Sequence, residues 1–102
     1  MAFKHFVMKQ LLNPPLRLDK EIMRLLDANK SMSSAEMHAQ ISNVTINAVS
    51  EAIQTNLKPR KLVEIDRKAW VRGITYMVTY WRLTPTGKQL LEDERNEHAT
   101  NP

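Results

Sequence analysis

Apolar residues recur at helical spacing in several stretches of the chain and switch to strict alternation in one. Phe3, Phe6, Val7 and Leu11 stand at i, i+3, i+4 and i+8, and Asn13-Pro14-Pro15 closes that stripe, because a residue before proline is pushed out of the α region. This predicts an N-terminal arm or short helix over residues 1–15. Leu18, Ile22, Leu25 and Leu26 form the next stripe. Asp19 is its expected N-cap, with Leu18 and Met23 as the staple pair, giving a helix over about 19–29. Ser33 and Glu36 make a capping box for a short helix over 34–41, with Met32 and Met37 at the staple positions. Asn43 tolerates the left-handed backbone of a tight turn. Thr45 then caps a third helix. Ile46, Val49, Ile53 and Leu57 line one side of it, Asn47, Ala48, Glu51, Gln54 and Thr55 the other, and Lys58-Pro59 ends it.

From Leu62 the period falls to two, predicting strands over 62–67 and 74–83. Tyr76, Val78 and Tyr80 share one face of the second strand; Met77, Thr79, Trp81 and Leu83 share the other. Gly73 supplies the positive φ of a hairpin turn. The pattern fits a tight turn at Arg72-Gly73 and a broad one starting at Lys68 alike. Thr84-Pro85 opens the last helix, threonine as cap and proline where no amide is needed. Leu90 and Leu91 form its apolar side, and the polar stretch 92–102 is expected to fray.

A short helix, a turn and a longer amphipathic helix make a helix-turn-helix. With a hairpin after the third helix, the predicted class is α+β, a winged helix-turn-helix. It has a three-helix core, a two-stranded β-hairpin wing and flanking N- and C-terminal helices. The expected organisation is an arm over 1–15, one domain over 16–97 and a flexible tail over 98–102.

A chain of 102 residues has room for one small domain. With 42% hydrophobic and 25% charged residues it is not disordered throughout, and no apolar run reaches membrane-spanning length. The first residues are interrupted by charge and do not read as a signal peptide. Cysteine is absent, which removes disulfides, thiolate catalysis and cysteine-bound metal. A cytoplasmic protein without membrane attachment is expected. His5, His38 and His98 are scattered, and position 42 is serine, so no helical histidine pair exists to hold a metal. Gly73 and Gly87 are the only glycines, too few for a phosphate-cradling loop. No serine has a neighbouring base in sequence. Neither an enzyme nor a bound cofactor is expected, and nothing in the sequence names a small-molecule effector.

The net charge of +4 is unevenly placed. Residues 1–57 carry six basic and five acidic side chains, net +1, and residues 89–102 carry one and four, net −3. Residues 58–88 carry eight basic side chains against Glu64 and Asp66, net +6. A concentrated cationic stretch suits an anionic partner, most commonly a phosphate backbone; a solvated basic face is the plainer reading of the same run.

The chain resembles winged helix-turn-helix domains of bacterial regulators, similar to the MarR and PadR groups, over about residues 18–97. The likeness is carried by Ser33 to Ile41 as scaffold helix, by Thr45 to Ile53 as recognition helix, and by Tyr80-Trp81-Arg82-Leu83-Thr84-Pro85-Thr86-Gly87. The last resembles the L-T-x-x-G strand-to-helix junction of those groups. The resemblance implies double-stranded DNA binding as a homodimer in transcriptional control. The third helix would enter the major groove and the wing would reach the backbone or minor groove. By position, Thr45, Asn47, Ala48, Glu51 and Gln54 become base-reading candidates, and Arg67, Lys68, Trp70 and Arg72 wing candidates.

The third helix departs from the pattern of those groups. It has no arginine or lysine before Lys58, so the common arginine–guanine contact is closed to it. Asn47 and Gln54 can bond adenine, and Glu51 can accept from cytosine N4. Affinity is then expected to depend on the wing and on Lys58, Arg60 and Lys61. Trp70 is expected to fold back onto the sheet with Val71 and Ile74, an exposed aromatic being the alternative. Phe3, Phe6, Val7, Leu11, Leu90 and Leu91 are the expected dimer contacts. A winged-helix adaptor that binds another protein, in a replication or phage-type assembly, is the competing reading, favoured by Glu51 and Trp70.

Overall fold

The computed structural model describes residues 17–100. Helix α1 (Arg17–Asn29) leads through β1 (Met32–Ser33) into α2 (Ser34–Gln40) and α3 (Ile46–Glu51), which runs on as a π-helical segment, Ala52–Leu57. Strands β2 (Val63–Trp70) and β3 (Met77–Leu83) follow, and α4 (Pro85–Thr100) closes the chain. The result is a mixed α+β fold with a three-stranded antiparallel sheet in the order β1-β3-β2. The expected arm over 1–15 and its contacts Phe3, Phe6, Val7 and Leu11 lie outside the described residues.

The predicted caps position the helices. Ser33 Oγ accepts from the Glu36 amide at 3.2 Å, while Glu36 Oε1 accepts from the Ser33 amide at 2.9 Å, so two amides with no partner inside α2 are satisfied reciprocally. Asn43 turns the chain with φ 64, His38 Nε2 donates to the Val44 carbonyl at 3.1 Å, and Thr45 Oγ1 accepts from the Ala48 amide at 3.1 Å to start α3. Asp19 is not a cap. Helix α1 begins two residues earlier, and Asp19 is 2% exposed with Oδ1 accepting from Asn56 Nδ2 at 3.4 Å. Its carboxylate tethers α1 to the π-helical segment.

Two further departures have physical causes, and of the two hairpin turns the pattern allows the chain adopts the broad one. β1 makes the sheet three-stranded where a two-stranded hairpin was expected: Met32 pairs with Trp81 and Ser33 with Tyr80. The hairpin turn is broad, with both strands ending short of it, Gly73 at φ 85 and the Ile74 amide donating to the Val71 carbonyl at 3.0 Å. Helix α4 continues to Thr100 instead of fraying from Glu92. Its polar half is held to α1 by Arg24–Glu94 at 2.9 Å, Lys20–Glu94 at 3.3 Å and Arg95–Asp27 at 2.9 Å. Partial burial raises the Glu94 pKa, but bonds and charge from Lys20 and Arg24 outweigh it and leave the carboxyl below its ordinary value.

The core lies between the helices and one face of the sheet. Ile22, Met23, Leu26, Met37, Val49, Ile53 and Leu57 are almost fully buried, and Trp81 and Leu91 close it from the sheet and from α4. No helix among the described residues is long and apolar enough to cross a membrane.

Candidate nucleic-acid interface

The outward side of α3 is polar. Asn47, Glu51 and Gln54 are exposed and Ala48 is half-buried. Thr45 is exposed, but its hydroxyl is engaged as the cap. In the π-helical segment Ala52, Ile53 and Leu57 turn inward, while Thr55 bonds back to the Glu51 carbonyl at 2.7 Å. Lys58, Arg60 and Lys61 extend from the end of this segment into solvent, Lys58 Nζ lying 5.8 Å from the Trp81 ring centre. Ile46, expected on the core side, is 43% exposed.

A bulge decides where the hairpin side chains point. Ile65 pairs with Trp81 and Arg67 with Tyr80, so Asp66 is the extra residue. Directly opposed residues share a face, so the extra residue reverses the facing of everything after it. Beyond the bulge, Lys68 opposes Thr79 and Trp70 opposes Met77. Lys68 and Trp70 therefore lie on the Trp81 face, the side covered by the helices, but past the end of the helical layer. Trp70 is 66% exposed there and does not fold back onto the sheet. Arg67 goes to the other face, its guanidinium 4.1 Å from the Tyr80 ring centre.

The same bulge collects charge. Asp66 accepts from Ser31 Oγ at 2.9 Å, from Arg67 at 3.2 Å and from Arg82 at 3.1 Å, and Arg82 also bonds Glu64 at 2.9 Å. The Ser31 hydroxyl, then Arg67 and Arg82, hold the Asp66 carboxyl below its ordinary value against some desolvation. A carboxyl with a depressed folded pKa stabilises the fold above its unfolded pKa, and that share vanishes as pH falls through the folded value. Asp66→Asn is thus expected to lower the melting temperature at pH 7, and the gap between the two melting temperatures should be smaller at about pH 3, below the ordinary carboxylate value. A constant offset at both pH values would show that the carboxylate charge is not what anchors the hairpin.

Arg67 and Arg82 are therefore already partnered. Among the described residues Lys58, Arg60, Lys61, Lys68 and Arg72 take part in no ion pair, Lys58 standing over the Trp81 ring.

The hairpin and α3 flank one groove of about 520 Å³. Ile46, Ser50 and Gln54 line its helix side, and Val71, Ile74, Tyr76 and Met77 line its hairpin side. Of the candidate base-reading residues, Gln54 lines this groove, while Thr45, Asn47, Ala48 and Glu51 lie outside its lining. Tyr76 is 67% exposed, Met77 44% and Ile74 36%. These apolar groove walls were not foreseen, because their exposure depends on where the strands end.

The expected dimer contacts on α4 are placed differently. Leu91 is 4% exposed and belongs to its own chain's core, and Leu90 packs partly against it. Helix α4 spends this face within the subunit, since α1 and the sheet need a cover. Among the described residues no three His, Asp or Glu side chains converge on a point. No protein-family model and no curated protein matches the chain.

Proposed function

We propose that this chain is a winged-helix protein that binds double-stranded DNA and acts as a small transcriptional regulator. The observation that carries the reading is that Gln54, on the π-helical continuation of α3, and the turn of a cationic hairpin line one groove. Helix α3 is offered to the major groove, with Asn47, Gln54 and Glu51 facing base edges. Lys58, Arg60, Lys61, Lys68 and Arg72 meet phosphates and set orientation. The homodimer of this reading draws on the apolar positions of residues 3–11, because Leu91 is committed inside its own subunit.

Fluorescence anisotropy with random duplex across a salt series tests it. Micromolar binding that weakens steeply with salt is expected; no binding at low salt refutes it. Asn47→Ala and Gln54→Ala should each change which duplexes are selected from a random pool, shifting preference by about 1–3 kcal/mol at one base pair, with little effect on random duplex.

One observation favours a second reading. The groove walls are apolar and Glu51 stands exposed on α3, features that suit a protein partner. In an adaptor of that kind the hairpin cations would contribute little, and duplex affinity would be negligible at low salt.

A further inference from the structure

The hairpin end carries more exposed apolar surface than phosphate contact needs. Trp70 is 66% exposed and stands directly opposite Met77, itself 44% exposed. Ile74 lies at the turn between them, 36% exposed. Leaving an indole and a methionine in water forgoes the stabilisation their burial would bring, so a patch of this kind on a small domain marks a contact.

Its surroundings indicate the partner's charge. From Arg67 to Leu91 the sequence contains no acidic residue and five basic ones, Arg67, Lys68, Arg72, Arg82 and Lys88. Lys68 and Arg72 flank Trp70 at two residues on either side, and neither is ion-paired among the described residues. The register places Lys68 on the same strand face as Trp70. An aromatic ring between two unneutralised cations complements a polyanion that also offers flat apolar faces. A base stack bounded by phosphates has both.

We infer that the end of the β2–β3 hairpin is an apolar wedge: Trp70, backed by Met77, enters the base stack of a bound duplex from the minor groove, while Lys68 and Arg72 hold the phosphates on either side. The wedge rests on the duplex-binding reading and adds to it that the bound DNA is kinked. Side chains inserted between base steps unstack them and bend the helix away from the insertion, and the bend brings more DNA against the protein. The step entered should be a flexible pyrimidine–purine step, where unstacking costs least. The hairpin end and Gln54 border one groove, so the wedge and the reading helix can engage one duplex together.

The test uses the full chain and a duplex of about 24 base pairs with a donor and acceptor dye at its ends, at low salt. Binding is followed by anisotropy, bending by energy transfer between the ends, and insertion by tryptophan emission. Trp81 is 3% exposed, so a change in emission on binding reports Trp70, with Trp70→Ala as the reference. Wild type should bind, lose most of the Trp70 emission and raise the energy transfer. Trp70→Ala, a surface change that leaves the far-ultraviolet dichroism intact, should still bind, about tenfold more weakly, and leave the duplex straight. Trp70→Phe should restore part of the bend. If wild type binds with Trp70 emission unchanged and energy transfer equal to that of Trp70→Ala, the wedge is overturned and duplex binding stands. Tighter binding to a single strand than to the duplex, with the same quenching, would make the tip a stacking platform and also overturn the wedge. If no duplex binds, the duplex reading and the wedge fall together.

Discussion

Gly87→Ala is expected to be the most damaging single methyl group that can be added to the chain. A Cβ at this position would run into the carbonyl oxygen of Leu62 and lie 3.1 Å from Leu83 Cδ2. The carbonyl cannot yield, because it accepts the Thr84 amide at 3.1 Å. The Thr84 hydroxyl in turn donates to the Lys61 carbonyl at 2.6 Å and accepts the Gly87 amide at 3.0 Å. These bonds tie the turn after α3 to the start of α4, and Lys61 already sits at φ 59 to allow it. Forcing them apart should cost about 3 kcal/mol, a large share of the 5–15 kcal/mol typical of a whole domain. A fall of about 10 °C or more in melting temperature is the expected result. A fall of about 2 °C or less would mean that α4 is docked elsewhere than at this junction. The L-T-x-x-G stretch thus has a mechanical meaning in this chain: threonine caps the helix and glycine leaves space for a backbone carbonyl.

The second large effect concerns affinity. Replacing Lys58, Arg60, Lys61, Lys68 and Arg72 together by alanine should weaken binding to random duplex by about two to three orders of magnitude at low salt. It should also flatten the logarithmic salt dependence by about 4.5, since each phosphate contact contributes about 0.9. Arg67→Ala should flatten it by less than Lys68→Ala does, because Arg67 is engaged with Asp66 and Ser31. Equal slopes for wild type and the fivefold variant would remove these cations from the interface. Sequence alone weights Arg67 and Lys68 equally; the ion pairs separate them.

What was legible in the sequence was the local chemistry. The Ser33/Glu36 box, the Thr45 cap, the turn at Asn43 and the positive φ of Gly73 follow from side chains acting within four residues, and each is found where the pattern puts it. The unread features depend on contacts far along the chain. Two-residue β1 is too short for alternation and exists because Trp81 and Tyr80 offer it an edge. The bulge at Asp66 is favoured by Ser31, 35 positions away, and it alone decides that Lys68 and Trp70 share a face with Trp81. Helix α4 extends because Asp27, Lys20 and Arg24 lie beside it, a pairing that shows no apolar period. The polar face of α3 was readable from its spacing. The company of Gln54 with the hairpin in one groove was not, because that depends on how the sheet sits against the helices.

Amide chemical shifts of the isotope-labelled chain, followed while duplex DNA is added, probe that company directly. A duplex lying across both elements should move the amides of 47–54 and of 68–76 together, along one binding curve, and leave the outer side of α1 and α4 unmoved. Shifts confined to one of the two segments, or spread over α1 and α4 instead, would contradict a shared DNA-binding surface.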